Sequence, residues 1–547
     1  MEANGYLSMV LNTIEKNSDL SAFSDYKGGT YTYREVGELI FKLHYTYREL
    51  GIKKGDKIAL IGRNMSNWGV VYLATVTYGA VIVPILPDFH SNDIHHIVNH
   101  SESVLLFSTT WMFDKIDDTK ISHVKGVISV NDFKPLVDVK GKIEKAFKKA
   151  DEELYSRPFD VSRLKFPEVG AEEVMVLSYT SGTSGYSKGV LLPHRSIWSN
   201  VLYADEKLHM DRGERIVSFL PLAHAYGCLF EFLWPFTAGC HITFLTRTPT
   251  PQIITEAFRE VKPNLILSVP LILEKIFKRR IQPTLEKRSL RALLKLPLAN
   301  KLIYSKIRKT LIETFGGEFK AMVVGGAALN KDVEAFLKKI NFPITVGYGM
   351  TECGPLVSYE NWDETKSGSA GRVVNRMQVR IDSDDPQNIV GEIQVKGDNT
   401  LLGYFKNDVA TKEIFTDDGW VRTGDLGIVD SDGFIFIRGR SKNMILGSSG
   451  QNIYPEEIEA VINNKEMVQE CLVREKGGKI EALIYPDYEV CDRERMGHSE
   501  IDDVLLALRK EVNDELPGYM AVSKMILFPE EFEKTPKKSI KRYKYVN

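Results

Sequence analysis

Tyr179-Thr180-Ser181-Gly182-Thr183-Ser184-Gly185-Tyr186-Ser187-Lys188-Gly189-Val190 follows directly on the apolar run Val174-Met175-Val176-Leu177. The stretch gathers hydroxyls, glycines and one lysine into a loop of the kind that wraps a polyphosphate. Glycines let backbone N–H groups turn inward, Ser and Thr hydroxyls add donors, and the lysine supplies a point charge. The spacing differs from the P-loop of the common nucleoside triphosphatases, where Gly immediately precedes Lys and Ser or Thr follows it. Here Ser187 precedes Lys188 and Gly189 follows. A flexible Gly/Ser linker is the plain alternative for this stretch taken alone.

Outward from the loop, the chain alternates helices and strands. Thr32 and Glu35 have capping-box spacing and predict a helix to about Leu50. Strands are expected at 57–61, 81–84 and 104–107, separated by helices at 66–78 and 91–100. That rhythm implies a parallel sheet covered on both faces. It resumes after the loop with strands at 216–220, 265–269 and 321–324, the last running into Gly325-Gly326-Ala327. Residues 140–155, rich in Lys and Glu, read as a solvated surface segment. After about Gly371 short strands with turn signals replace the alternation, as in an antiparallel sheet or small barrel. Beyond Arg440 comes a short α+β unit. The fold expected is α/β: a large N-terminal body (1–439) with a small β-barrel-like subdomain, and a small mobile C-terminal domain (440–547).

Bulk properties narrow the function. At 547 residues with net charge −2, the chain lacks the basic balance of a nucleic-acid protein. Its five cysteines are scattered without CxxC spacing, so no disulfide framework or zinc site is indicated, and a reducing, cytoplasmic location fits. No secretory signal is visible at the N-terminus. The longest apolar run, 70–86, reads as a buried helix breaking at Gly79 into a strand rather than a membrane span. His96 and His100 lie one helical turn apart with Asp93 nearby, but no wider ligand motif surrounds them and an exposed helix face is the better reading. The stretch 275–309 is strongly basic, with Leu and Ile interleaved. A solvated helical face is the plain reading; the functional one is peripheral attraction to the anionic inner face of a membrane or to a polyanionic cosubstrate.

The loop has companions in fixed order. Leu220-Pro221-Leu222-Ala223-His224-Ala225-Tyr226-Gly227 comes first, then Gly347-Tyr348-Gly349-Met350-Thr351-Glu352-Cys353-Gly354-Pro355. Trp420-Val421-Arg422-Thr423-Gly424-Asp425, Arg438-Gly439-Arg440-Ser441-Lys442 and the run from Gly447 through Gly450, Gln451 and Asn452 to Glu459 complete the set. Together they resemble the adenylate-forming superfamily of acyl-CoA synthetases, luciferases and peptide-synthetase adenylation domains, over nearly the whole chain. The Gly347–Glu352 run lacks the third glycine of a dinucleotide fingerprint, so a Rossmann cofactor site is rejected.

The resemblance implies roles for single residues. Thr180, Ser181, Gly182, Thr183, Ser184 and Lys188 would hold the β- and γ-phosphates of ATP. Tyr348 would stack on adenine, with Gly325, Gly326 and Ala327 lining that side. Thr351 would touch the α-phosphate, and Glu352 would hold Mg²⁺. Asp425 would accept from the ribose hydroxyls with Arg440 in support, and His224 would gate or orient the carboxylate. Lys442 stands at the family's hinge, with Gly450 and Gln451 facing the channel for CoA. Attack of a carboxylate oxygen on the α-phosphorus would expel pyrophosphate and leave an acyl-AMP, which a thiol then consumes; that work is positioning plus electrostatics.

One departure stands out. The family's terminal segment, T-P-x-G-K-I-x-R, is here Thr535-Pro536-Lys537-Lys538-Ser539-Ile540-Lys541-Arg542, with Ser539 at the lysine position. If the segment is extended, Lys537 and Lys541 share the side of Ser539, and Lys541 is the favoured substitute. The implied activity is ATP-dependent activation of a medium- to long-chain fatty acid and its transfer to CoA. The chain-length reading rests on the 351–358 and 452–455 runs, which resemble bacterial fatty-acid ligases; Tyr226, Phe230, Phe232, Trp234 and Phe236 either line an apolar tunnel or belong to a plain core helix. Alternatives are a ligase loading a carrier protein, an aromatic-acid CoA ligase and, in another class, a catalytically weak acyl or nucleotide binder suggested by Ser539.

Overall fold

The computed structural model describes residues 5–180, 187–285, 297–446, 451–494, 496–535 and 539–546. Its largest sheet has eight strands: β1 (Lys57–Ile61), β2 (Val81–Ile85), β3 (Ser103–Ser108), β4 (Gly126–Ser129), β5 (Pro135–Asp138), β6 (Val174–Thr180), β7 (Lys188–Pro193) and β8 (Gly403–Tyr404). They lie in the order β8-β7-β6-β2-β1-β3-β4-β5. β1 pairs in parallel with β2 and β3, and β6 runs parallel to β2. The crossovers include helices Ser66–Thr77 and Ser91–His100, as the alternation predicts. Helix Tyr33–Glu49 begins with the expected capping box, Thr32 and Glu35 each accepting from the other's backbone N–H. The apolar run 70–86 breaks at Gly79, whose φ of 83° is left-handed, and re-enters as β2. No helix among the described residues is long and apolar enough to cross a membrane.

Smaller sheets complete the body. Leu265–Ser268, Ala321–Val324 and Ile344–Val346 pair in parallel and end beside the candidate site. The change of texture after Gly371 is a four-stranded antiparallel sheet, Met377–Asp382, Gly391–Gly397, Val421–Val429 and Ile435–Arg440, in that order. The small domain has strands Val468–Lys476, Lys479–Pro486 and Lys524–Leu527 with helices Pro455–Asn463 and His498–Glu515. The body's core extends to Ile435, and the small domain's begins at Ile453.

Two expectations need correction. Residues 140–155 are not merely a solvated segment: Lys142–Leu154 is a helix burying Ile143, Ala146, Phe147, Ala150 and Leu154. These five lie at helical spacing, and the charged residues between them hide the period. Nor is 275–309 uniformly exposed. Lys278 is half-buried and donates to the carbonyls of Asn463 (2.9 Å) and Val468 (3.5 Å) in the small domain. Lys301, Lys306 and Lys309, on helix Pro297–Thr314, are exposed beside the exposed Leu302, while 286–296 lie outside the described residues.

Candidate functional site

The phosphate-loop candidates sit on a hairpin. β6 and β7 are antiparallel, and Thr180 faces Lys188 across the ladder, so the loop leaves and returns at one point on the sheet edge. Ser181, Gly182, Thr183 and Ser184 lie outside the described residues. Lys188 Nζ is 5.1 Å from the centroid of the Tyr404 ring, a cation–π distance. Tyr404 pairs with Val190 on the next strand, and its hydroxyl donates to Glu352 Oε1 at 2.9 Å. One tyrosine therefore joins the loop lysine to the candidate metal carboxylate. Burial and the Glu352 charge raise the Tyr404 phenol, so it stays a donor.

The turn carrying Thr351 and Glu352 is held from outside. Thr351–Cys353 is a single 3₁₀ turn, and the Glu352 carbonyl accepts from Leu401 N at 2.8 Å. Asn200, fully buried, donates to Cys353 O and accepts from Leu356 N. Gly354, at φ 60°, could take no side chain, because a Cβ would meet Ser196 Oγ at 2.3 Å. Thr351 is buried and Glu352 half-buried. Glu352 Oε2 has no partner among the described residues, and no three His, Cys, Asp or Glu side chains converge as a metal cage among them. A single carboxylate with one open oxygen fits a hard cation held mostly by phosphate oxygens.

Tyr348 and Asp425 form the next corner. The Tyr348 hydroxyl donates to Asp425 Oδ2 at 2.6 Å, and Arg440 Nε lies 2.7 Å from Asp425 Oδ1. Asp425 and Arg440 are register partners on neighbouring strands, so the sheet itself sets this pair. Burial raises the Asp425 carboxyl from its ordinary value, and the Arg440 guanidinium pulls against that rise. Gly325, Gly326 and Ala327 follow the strand Ala321–Val324. A Cβ on Gly325 would meet the Tyr226 ring at 3.1 Å, so glycine is what lets that ring lie against the strand end. Gly326 and Ala327 are exposed.

His224 is the N-cap of the short helix Ala225–Cys228, its Nδ1 accepting from Tyr226 N at 3.4 Å. Its neighbours Ala223 and Ala225 line a narrow apolar cavity of about 20 Å³ with Tyr72, Val176, Leu229 and Gly354. The cavity, with room for about one water, thus lies between Gly354, which ends the Thr351 turn, and the residues on either side of His224. The aromatic run expected to line it does not: Phe232, Trp234 and Phe236 are fully buried in the body's core, where Phe232 and Phe236 pack against Phe23. Phe232 belongs to the π-helical turn Leu229–Leu233, from which Leu229 and Leu233 reach the lining instead.

The remaining candidates cluster at the junction with the small domain. Lys442 is exposed in the 3₁₀ turn Ser441–Asn443, and Asn443 Nδ2 donates to Glu456 Oε1 at 2.6 Å. Gln451 is exposed, and Gly450 lies outside the described residues. The described ends of the terminal run pair with each other: Lys534 bridges Ile540 in antiparallel fashion and Thr535 N donates to Ser539 O at 2.8 Å. Lys541 Nζ lies 3.6 Å from Glu533, and Arg542 is ion-paired with Glu459, both within the small domain. Lys537 and Lys538 lie outside the described residues. Tyr404 and Asn200 had no place in the motif reading, because each acts across a long sequence separation with no local pattern to mark it.

Comparison with known proteins gives this geometry a lineage. Over 454 residues the chain is 29% identical to the long-chain-fatty-acid–CoA ligase of Salmonella typhimurium, covering 78% of this chain and 75% of that protein. It is 25% identical to a chloroplastic long-chain-fatty-acid–[acyl-carrier-protein] ligase of Arabidopsis thaliana, covering 84% of this chain and 73% of that one. Among solved structures, ATP-bound MatB from Rhodopseudomonas palustris shares the fold at a TM-score of 0.77 and 21% identity, over 98% of this chain and 97% of that one. The family model described as AMP-binding enzyme matches residues 11–405, which hold the hairpin loop, His224 and the Thr351–Glu352 turn. The chain belongs to the AMP-binding enzyme family.

Proposed function

We propose that this enzyme activates a medium- to long-chain fatty acid with ATP as acyl-AMP and then transfers the acyl group to CoA, releasing AMP and pyrophosphate. The observation that carries the reading is the adjacency of an apolar cavity and a polar corner at one turn, with Gly354 in the cavity wall and Glu352 two residues before it. In this reading Thr180, Ser181, Gly182, Thr183, Ser184 and Lys188 cradle the β- and γ-phosphates. Tyr348, Gly325, Gly326 and Ala327 hold adenine, Asp425 with Arg440 holds the ribose, and Thr351 orients the α-phosphate. Glu352 would hold Mg²⁺, which when bound supplies positive charge to the phosphate oxygens. His224 orients the entering carboxylate at the cavity mouth.

Rotation about Lys442, between a body of 1–439 and a small domain of 440–547, would present Gly450 and Gln451 to the thiol for the second half-reaction. Lys442→Pro should spare adenylation and cripple thioester formation; equal loss of both would contradict the hinge. ATP–pyrophosphate exchange across acids of graded length tests the substrate reading, and background exchange with every fatty acid would end it. A second reading, with a carrier-protein thiol as acceptor, is favoured by the similarity to an acyl-carrier-protein ligase. Supplying CoA or carrier-protein pantetheine to preformed acyl-AMP separates the two. The location proposed is cytoplasmic, with Lys301, Lys306 and Lys309 drawing the enzyme to anionic lipid. Sedimentation with anionic vesicles that does not depend on salt would count against that attraction.

A further inference from the structure

Glu231 has no place in the adenylation chemistry, yet it is a fully buried carboxyl in the middle of the π-helical turn Leu229–Leu233. Its Oε2 accepts from both Phe219 N and Leu220 N at 2.9 Å, and the Ser218 hydroxyl stands beside the carboxyl. Those amides belong to the segment that leaves the strand Arg215–Ser218 and runs to His224. Asn64, also buried, grips the same segment from the other side. Its Nδ2 donates to Ser218 Oγ (3.1 Å) and Leu220 O (2.7 Å), and its Oδ1 accepts from Leu222 N (3.1 Å). Pro221 has no N–H to satisfy. Two buried side chains from distant parts of the chain therefore hold the amides of Phe219, Leu220 and Leu222 and the carbonyl of Leu220.

The segment so held is one wall of the cavity beside His224. Leu222 and Ala223 come from it, whereas Leu229 and Leu233 come from the turn that carries Glu231 and Cys228 from the short helix just before that turn. A buried carboxyl is a costly way to satisfy two amides unless the distance between the two walls matters. We propose that Glu231, with Asn64, is a positioning clamp that sets the wall-to-wall spacing of the acyl cavity and the placement of His224, and so governs binding of the acid rather than of ATP. The clamp rests on the acyl reading of that cavity. Burial raises the Glu231 carboxyl above its usual range, and glutamine keeps its size and an oxygen that can accept from the same two amides.

The test uses the full-length enzyme with two readouts. In ATP–pyrophosphate exchange, Glu231→Gln should match the unaltered enzyme. Glu231→Leu should raise KM for the acid about tenfold, the cost of leaving buried amides unpaired, with KM for ATP unchanged. Asn64→Ala should act in the same direction without touching the π-helical turn, which covers the case in which Glu231→Leu does not fold. In hydrogen exchange, amides of 219–222 should open about tenfold faster in Glu231→Leu, while those of β3 keep their protection. Unchanged exchange at 219–222, or KM for acid and ATP rising together, would overturn the clamp. If the unaltered enzyme shows no exchange with any acid, the acyl reading has failed instead. The amide readout still decides whether Glu231 and Asn64 hold the segment.

Discussion

The nucleotide corner of the body and the terminal run of the small domain both carry charged groups assigned to ATP, but their side chains are differently engaged. In the body, Tyr348, Asp425 and Arg440 already contact one another, and Tyr404 already joins Glu352 to Lys188. In the small domain, Lys541 and Arg542 are engaged with Glu533 and Glu459 of their own unit. One half of the site is preorganised by sheet register, which is where electrostatic stabilisation is cheapest at the moment of reaction. On the proposed hinge reading the other half would have to be delivered, at the cost of the resting contacts of Lys541 and Arg542.

The largest expected effect comes from the anchor of the terminal run. Glu459 is largely buried beneath Arg542, and burial pushes its carboxyl up to about 7 despite the guanidinium. A folded value above the unfolded one near 4.5 means that this group's contribution to stability is fully present below pH 4.5 and is lost as pH rises through 7. Comparing the unaltered protein with Glu459→Gln should show a relative loss of about 3 kcal/mol across that window, at about 1.4 kcal/mol per unit. Urea titrations of both proteins at several pH values measure it. A difference that stays flat with pH would show that Arg542 holds Glu459 ionised throughout.

Delivery itself is tested by Lys541→Ala. Loss of one delivered cation should slow adenylation about a hundredfold while leaving transfer from supplied acyl-AMP to the thiol intact. Ser539→Lys is the companion, because it restores the family's residue at that position. If Ser539→Lys accelerates pyrophosphate exchange and Lys541→Ala leaves it alone, Lys541 is not the substitute.

The same contrast explains what was legible in the sequence. The strands of the parallel sheet are continuous apolar runs buried on both faces, so 57–61 and 81–85 stand out without knowledge of their neighbours. The helix Lys142–Leu154 does not, because Lys and Glu fill every position but one face. Candidates that lie within motifs, such as Asp425 and Glu352, could be picked out from the sequence, and the structure shows which side chains they touch. Tyr404 and Asn64 could not be picked out, since each reaches partners at least 50 residues away with no local pattern to mark it. The π-helical turn at Leu229–Leu233 was equally silent, and Phe232, Trp234 and Phe236 lie in the core.

Within the preorganised half, Tyr404→Phe removes only the hydroxyl that donates to Glu352 and keeps the ring beside Lys188. A hydrogen bond to a charged acceptor is worth about 1.5–3 kcal/mol, so ATP affinity measured calorimetrically in the presence of Mg²⁺ should change about tenfold. Weaker binding would show that Tyr404 positions Glu352 for the cation. Tighter binding would show that the hydroxyl competes with it. No change would remove Tyr404 from the site.

The smallest effect concerns the contact that holds the two domains as they are. Lys278 donates to the carbonyl of Asn463, the last residue of helix Pro455–Asn463, and so caps that helix from across the interface. Asn464 Nδ2 adds a bond to Asp332 Oδ2 at 2.7 Å. Both contacts belong to this orientation of the small domain, so a rotation that carried Lys541 toward the nucleotide corner would have to break them. Lys278→Met keeps the apolar stem and loses the donor, weakening this orientation by about 1 kcal/mol. The ratio of the two half-reaction rates should then shift about fivefold toward the one served by the rotated state, with ATP affinity unchanged. If the ratio does not move in Lys278→Met, even with Asn464→Ala added, the junction is held by the turn at Ser441–Asn443 and not by this interface.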